Sequence, residues 1–223
     1  MPTILQYVEL NSFAIAVLLV ILLNMRRQDG RYSPDQKLFY SLLVVNILLL
    51  ILDTALWVLD GKPGDFARLL NILAVVSYNI LNPVICLIWY FYVDFYIHGN
   101  EKRLTRMSFF IIFPVFVNLI LSVASIFTDI YFIFDENNVY RRGRFIYVLL
   151  GICLYMIGYT AVFLIRNRNK ISRKEYISLL VFVIPPTIGG IIQAMVPGVI
   201  IIWIATTLSI LIIFINVQKD QLH

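Results

Sequence analysis

The sequence predicts an all-α membrane protein: a seven-transmembrane helix bundle, N-terminus outside and C-terminus cytoplasmic, with a short external β-hairpin between the fourth and fifth helices. Three observations predict it. The 223 residues are 61% hydrophobic and 14% charged, with a mean hydropathy of +0.86, which is too apolar to keep a water-facing surface around one soluble core. Apolar windows long enough to span a bilayer recur seven times. Lysine and arginine then fall on alternate sides of those windows, thirteen against five, the asymmetry expected when the basic loops stay in the cytoplasm.

The windows run over about 3–24, 38–59, 70–97, 107–127, 145–165, 177–196 and 199–217. The first has no positive residue before it and no small-residue cleavage site after it, so it does not read as a secretory signal peptide. The first, third and fifth connections carry Arg26, Arg27, Arg31 and Lys37, then Lys102, Arg103 and Arg106, then Arg166, Arg168, Lys170, Arg173 and Lys174, and Lys219 follows on the tail. The second and fourth hold only Lys62 and Arg68, then Arg141, Arg142 and Arg144. The fourth connection places aromatic, β-prone arms around Asp135, Glu136, Asn137 and Asn138, a hairpin pattern over the outer mouth; a loop whose aromatic rings sit among headgroups is the other reading. Between the sixth and seventh windows, Val196, Pro197 and Gly198 supply a tight turn. The seventh continues without Pro or Gly into a polar segment, 217–223, read as the start of a cytoplasmic signalling helix.

Polar side chains inside spans are costly, so their depth carries information. At about 1.5 Å per residue Asp53 falls in the outer third of the core. Glu9 and Asn11 sit at similar depth on the first helix, Asn79 and Asn82 mid-way along the third, Asn118 and Ser122 in the outer half of the fourth, and Gln193 near the outer end of the sixth. If those faces point inward, an outward-opening cavity follows. The candidate ligand contacts are Asp53, Trp57 one turn above it, Glu9, Asn11, Asn79, Asn118, Gln193 and Trp203. Asp53 reads equally as an ion-pair partner of Arg68 or Arg144 or as a protonated acid, and the amides as interhelical hydrogen bonds. Pro185, Pro186 and Pro83 are candidate hinges, since each lacks an N–H inside a helix; a static bend is the alternative.

Trp89, Tyr90, Phe91, Tyr92, Phe95 and Tyr96 read as an interfacial aromatic belt, with Asp94 hydrated among them. Cys86 and Cys153 fall at depths of roughly 24 Å and 12 Å, counted at 1.5 Å per residue, a gap that disfavours a disulfide. No span holds a lysine, so a retinal Schiff base is excluded. His98, placed in a loop, and His223 are the two histidines, and they suggest no metal site. Phosphate loops, nucleophile elbows and His-Glu-x-x-His patterns are lacking, so catalysis by this segment and a bound cofactor are not expected. The net charge of +5 sits in loops and reports topology, not nucleic-acid binding.

Seven helices, the loop residues Asn138, Val139, Tyr140, Arg141, Arg142 and Gly143, and a last helix running into INVQKDQLH together resemble a bacterial module. The chain is similar to the seven-helix sensor region found ahead of histidine kinase and GGDEF diguanylate cyclase output domains. The resemblance implies a bacterial plasma-membrane protein that binds an extracellular small or amphipathic molecule and controls a cytoplasmic output, with the polar end of the last helix favouring the cyclase. Leu208, Leu211, Ile215 and Leu222 recur at heptad-like spacing, a seam for a homodimer. A small transporter and a non-sensing membrane anchor are the rival functions, with lipids the remaining partners.

Overall fold

A computed structural model describes residues 4–26, 33–99, 109–195 and 201–218. The chain is an all-α, multi-pass membrane protein. Five helical stretches are long and apolar enough to cross a membrane, the fifth of them, Arg173–Gln193, passing through a break, and two shorter apolar helices, Phe109–Ala124 and Ile202–Asn216, stand with them. In chain order the α-helices are α1 (Ile4–Arg26), α2 (Pro34–Leu59), α3 (Asp65–His98), α4 (Phe109–Ala124), α5 (Ile146–Arg166), α6 (Arg173–Val181), α7 (Ile184–Met195) and α8 (Ile202–Ile213). Strands β1 (Phe132–Phe134) and β2 (Tyr140–Arg142) lie between α4 and α5. The turn expected at Val196, Pro197 and Gly198, the basic residues Arg27, Arg31, Lys102, Arg103, Arg106 and Lys219, and Leu222 and His223 fall outside the described residues.

The packing is inverted relative to a soluble domain. Asn11, Asn46, Asp53, Asn71, Asn79, Asn118 and Ser122 are buried, while Phe13, Phe66, Phe110, Phe116, Val162 and Ile188 face outward. Such an arrangement suits lipid outside and hydrogen-bonded partners inside. α3 packs on α2, α4 and α5, and α8 lies against α1, α2 and α7. Asn11 of α1 meets Asp53 near the end of α2, and Phe39 near the start of α2 meets Phe214 beyond α8. The start of α1 therefore lies at the hairpin end of the bundle and residue 214 at the opposite end.

Several boundaries differ from the sequence reading because apolar windows ignore polar helix starts. α2 opens at Pro34, where the Gln36 side chain accepts from the Ser33 N–H at 3.0 Å, a polar cap ahead of the apolar run. α3 begins at Asp65 and closes on Gly99, whose φ of 62° suits the left-handed end of a helix. α6 starts with a reciprocal box: Glu175 N–H donates to Ser172 Oγ at 3.3 Å and Ser172 N–H to Glu175 Oε2 at 2.8 Å. The sixth span is not one helix. It breaks at Phe182 and Val183, and Pro185 and Pro186 occupy the first turn of α7, where a missing N–H costs no intrahelical bond. After α8 the chain widens into a π-helical turn, Phe214–Gln218.

The aromatic run in α3 is core and not a belt. Trp89, Tyr90 and Tyr92 are almost wholly buried, with Trp89 stacked on Phe182 at 3.9 Å, Tyr90 edge-on to Tyr159 and Phe163, and Tyr92 tilted against Phe39. Asp94 is likewise buried and binds His98 Nδ1 at 2.9 Å. His98 is the last residue of α3, not a loop residue, and its Nε2 meets Lys170 Nζ at 2.9 Å. The aromatic density that resembles an interface pattern is explained instead by ring-on-ring packing between helices.

The two strands pair antiparallel, Ile133 opposite Arg141, and the hairpin is fastened to the α2–α3 connection. Asn138 adopts a φ of 60°, a left-handed conformation Asn tolerates. Its Nδ2 donates to the Leu59 and Lys62 carbonyls at 3.2 and 3.1 Å, and its own carbonyl accepts from Gly61 N–H at 3.0 Å. Arg68 donates to the Asp135 and Phe134 carbonyls, and Tyr140 N–H to Asp60 Oδ1 at 2.7 Å. Below the strands, Gly143 N–H donates to the Tyr131 carbonyl at 2.9 Å. A Cβ on Gly143 would lie 2.6 Å from the backbone of Asp129, Ile130 and Tyr131, so glycine is required by close approach.

Asn138→Ala should lower the stability of the purified protein by about 1–3 kcal/mol, through the lost hydrogen bonds of a buried amide and an alanine forced into the left-handed region, visible as a lower melting temperature by scanning fluorimetry. At the hairpin tip, the Val139 and Asn137 N–H groups and Arg141 hold the Asp135 carboxyl below the usual carboxylate range. Its contribution should be complete above that range and vanish as pH falls through the lowered native value. Hydrogen exchange at Asn137 and Val139 measured against pH should show this loss, and Asp135→Asn should remove the acid dependence.

Candidate functional site

A cavity of about 470 Å³ runs from the hairpin into the bundle. Asp60, Tyr140, Arg142 and Gln193 line its hairpin end; Asp53, Tyr78, Asn79, Asn82, Trp203 and Thr206 its waist; and Cys86, Trp89, Ile157, Phe182 and Val183 its far end. Its volume and mainly apolar wall with few convergent polar groups suit a small organic molecule. Arg142 Nη2 donates to the Gln193 carbonyl at 3.0 Å, tying the hairpin to α7.

Asp53 is 1% exposed. Asn11 Nδ2 donates to its Oδ2 at 3.0 Å and to Thr54 Oγ1 at 3.0 Å, while Oδ1 is buried without a partner. Neither Arg68 nor Arg144 pairs with it: Arg68 is turned to the hairpin carbonyls, and the donor to Asp53 is the neutral amide of Asn11. Trp57 lines the cavity one turn along from Asp53 and stacks on Tyr7 at 4.6 Å. Across the waist Trp203 Nε1 donates to Tyr78 Oη at 2.9 Å, ring edge against ring face at 88°, and the Gln193 side chain lies beside Tyr78.

Of the eight candidates, Asp53, Trp57, Asn79, Gln193 and Trp203 line the cavity, and Asn11 stands behind Asp53. Glu9 does not belong to the site. It is exposed on the outer face of α1, because two residues turn a helix by about 200° and Asn11 already takes the inward face. Asn118 does not line the cavity either: its Nδ2 donates at 2.9 Å to the carbonyl of Asn79, the very oxygen that Pro83 four residues on has no N–H to reach. Pro114 in α4 leaves the Phe110 carbonyl in the same position, and Tyr155 Oη of α5 donates to it at 3.4 Å. Pro83 thus marks a reinforced contact between α3 and α4. Pro186 lines the cavity, and Pro185 precedes it in the first turn of α7.

Sequence reasoning missed Tyr78, Trp89, Phe182 and Arg142, because aromatic and apolar residues at helical spacing look alike whether they face lipid or a cavity. It also misplaced the thiols. Cys86 and Cys153 both line the cavity and lie next to each other, neither in a disulfide, with Cys86 Sγ donating to the Asn82 carbonyl at 3.8 Å. The depth argument fails because α3 has 34 residues, about 51 Å at 1.5 Å each, and its first turns rise beside the hairpin beyond the start of α5. Among the described residues no group of His, Cys, Asp or Glu is arranged to hold a metal ion. Comparison with protein-family models, with curated proteins and with solved structures finds no match to this chain.

The proline compensation gives a double-mutant test. Asn118→Leu should cost about 1–3 kcal/mol through the orphaned Asn79 carbonyl. Pro83→Ala, which restores an N–H to that carbonyl, should remove most of the penalty, read as the coupling between the two substitutions in thermal unfolding.

Proposed function

We propose that this chain is a transmembrane sensing unit of seven crossings, with the hairpin and N-terminus outside and the last helix entering the cytoplasm of a bacterial cell. A small or amphipathic molecule bound in the cavity would bias the placement of α8 and with it a cytoplasmic output, by the resemblance of the chain a diguanylate cyclase, making cyclic di-GMP, and less favourably a histidine kinase. The observation that carries this reading is that Trp203 and Thr206 of the last helix are themselves cavity wall, so an occupant touches the element that leaves the bundle at the opposite end. The connection is short. Thr207 Oγ1 donates to the Trp203 carbonyl at 2.9 Å and accepts from Asn46 Nδ2 at 2.8 Å, linking the cavity wall to α2.

Ligand binding biases such a system only through different affinity for two arrangements. The break between α6 and α7 at Phe182 and Val183, both cavity-lining, supplies a joint at which α7 can pivot. Leu208 and Ile215 are exposed on the last helix, which supports a homodimer seam along it, although Leu211 is turned into the core. A transporter reading would need the stacked Trp89 and Phe182 at the far end of the cavity to part, and solute flux in proteoliposomes would favour it.

In the native gene product, Trp203→Ala should change basal output activity by about fivefold or more, the lower range of allosteric coupling, with the protein still folded. An unchanged activity counts against the sensing reading. Single cysteines placed at Asn137 and at Asn167, in a background lacking Cys86 and Cys153, should label with a membrane-impermeant maleimide from outside the cell only at Asn137.

A further inference from the structure

Taking the cavity as the ligand site, as proposed above, we infer that it accepts a molecule carrying an ammonium group on an apolar or aromatic body. Among the described residues the cavity wall holds one buried carboxylate, Asp53, and the cation in its lining, Arg142, stands at the exposed rim. Asp53 lines the wall, its Oδ1 is buried and has no hydrogen-bond partner, and its Oδ2 has a neutral donor in Asn11. A carboxylate stripped of water is costly unless a positive group meets it, and acids inside membrane spans are retained where a partner completes them. An ammonium donates into the free oxygen and supplies the missing charge; an anion would add repulsion, and a neutral hydroxyl would satisfy the hydrogen bond alone.

The walls around Asp53 fit the same chemistry. Trp57, Tyr78 and Trp203 surround the waist, and aromatic faces attract cations most strongly when water is excluded. Tyr78 Oη already receives the Trp203 N–H, which leaves its own hydroxyl hydrogen as a donor and its ring negative face unaltered in sign. Beyond the waist the cavity turns apolar, ending on Trp89, Ile157 and Phe182, a place for the body of the molecule. Arg142 at the rim is exposed and held by the Gln193 carbonyl, so its charge is screened by solvent.

All three tryptophans of the chain, Trp57, Trp89 and Trp203, line this one cavity, so intrinsic fluorescence reports its occupancy. The full chain in phosphatidylglycerol nanodiscs is titrated with three molecules of one shape: phenethylammonium, 2-phenylethanol and phenylacetate. The expected result is saturable binding of phenethylammonium at least about tenfold tighter than of 2-phenylethanol, the scale of a desolvated cation on aromatic faces, with phenylacetate weakest. Asp53→Asn should bring phenethylammonium to the level of 2-phenylethanol, and a thermal unfolding transition like that of the parent chain certifies the fold of the variant. Trp57→Leu, tested in parallel, should weaken the ammonium more than the alcohol.

Equal or tighter binding of the alcohol or the acid, or an ammonium preference that survives Asp53→Asn, overturns the ligand class and leaves the sensing reading to its own output test. A lack of saturable response to all three overturns the class as well. Adding phosphatidylethanolamine to the nanodiscs separates the two sources of this chemistry: competition with phenethylammonium marks the lipid headgroup, and unchanged affinity marks a soluble amine.

Discussion

Inside a lipid-embedded helix each carbonyl must find a donor, because no water is there to supply one. Pro83 and Pro114 break that condition in two neighbouring helices, and in both cases the next helix along repairs it. Asn118 reaches the Asn79 carbonyl and Tyr155 reaches that of Phe110. The repairs run from α3 to α4 and from α4 to α5, so three helices are held in one register by groups that exist only because two amides are missing. That register brings Cys86 beside Cys153 and sets Asn79 and Asn82 in the cavity wall. A proline that looks like a flexible point in the sequence is therefore, at position 83, a fastening.

The same requirement at helix ends explains the hairpin. The last carbonyls of α2 have no intrahelical amide, and Asn138 Nδ2 meets Leu59 and Lys62 where the chain turns toward α3. Asn suits the position twice over, since it tolerates the left-handed backbone and carries an amide donor. Arg68 and Asp60 then hold the strands from the helix side, and Gly143 lets the returning chain lie directly on Asp129 to Tyr131. A hairpin fixed at so many points sits over the cavity as part of its wall, with Tyr140 and Arg142 lining it.

Much of the fold was legible because spanning length, apolarity and polar burial are one-dimensional properties. Asp53 and Trp57 were legible as a pair because four residues return a helix to the same face. What depth could not supply was azimuth: Glu9 and Asn11 lie at the same level, yet only Asn11 turns inward. Nor could depth counted from apolar ends locate Cys86, since α3 rises past its neighbours to carry the hairpin. Trp89, Tyr90 and Tyr92 show the remaining blind spot. Their composition fits an interface as well as a core, and only the rings opposite them, Phe182, Tyr159 and Phe39, decide between the two.

The last helix gathers these constraints along one face. At the cavity Trp203 is bound to Tyr78 of α3, one turn on Thr207 is bound to Asn46 of α2, and beyond α8 Phe214 stacks on Phe39. Thr207 also returns its hydrogen bond to the Trp203 carbonyl, so the first two contacts share a turn of backbone. A helix is stiff over this length, so a displacement of the α8 backbone at Trp203 reaches Thr207 and its contact with Asn46. Either α8 moves as a unit, changing what Phe214 meets, or the Asn46 hydrogen bond breaks and leaves buried polar atoms unpaired. The second route is costly in this interior, so a backbone shift of α8 as a unit is favoured over loss of the Asn46 contact.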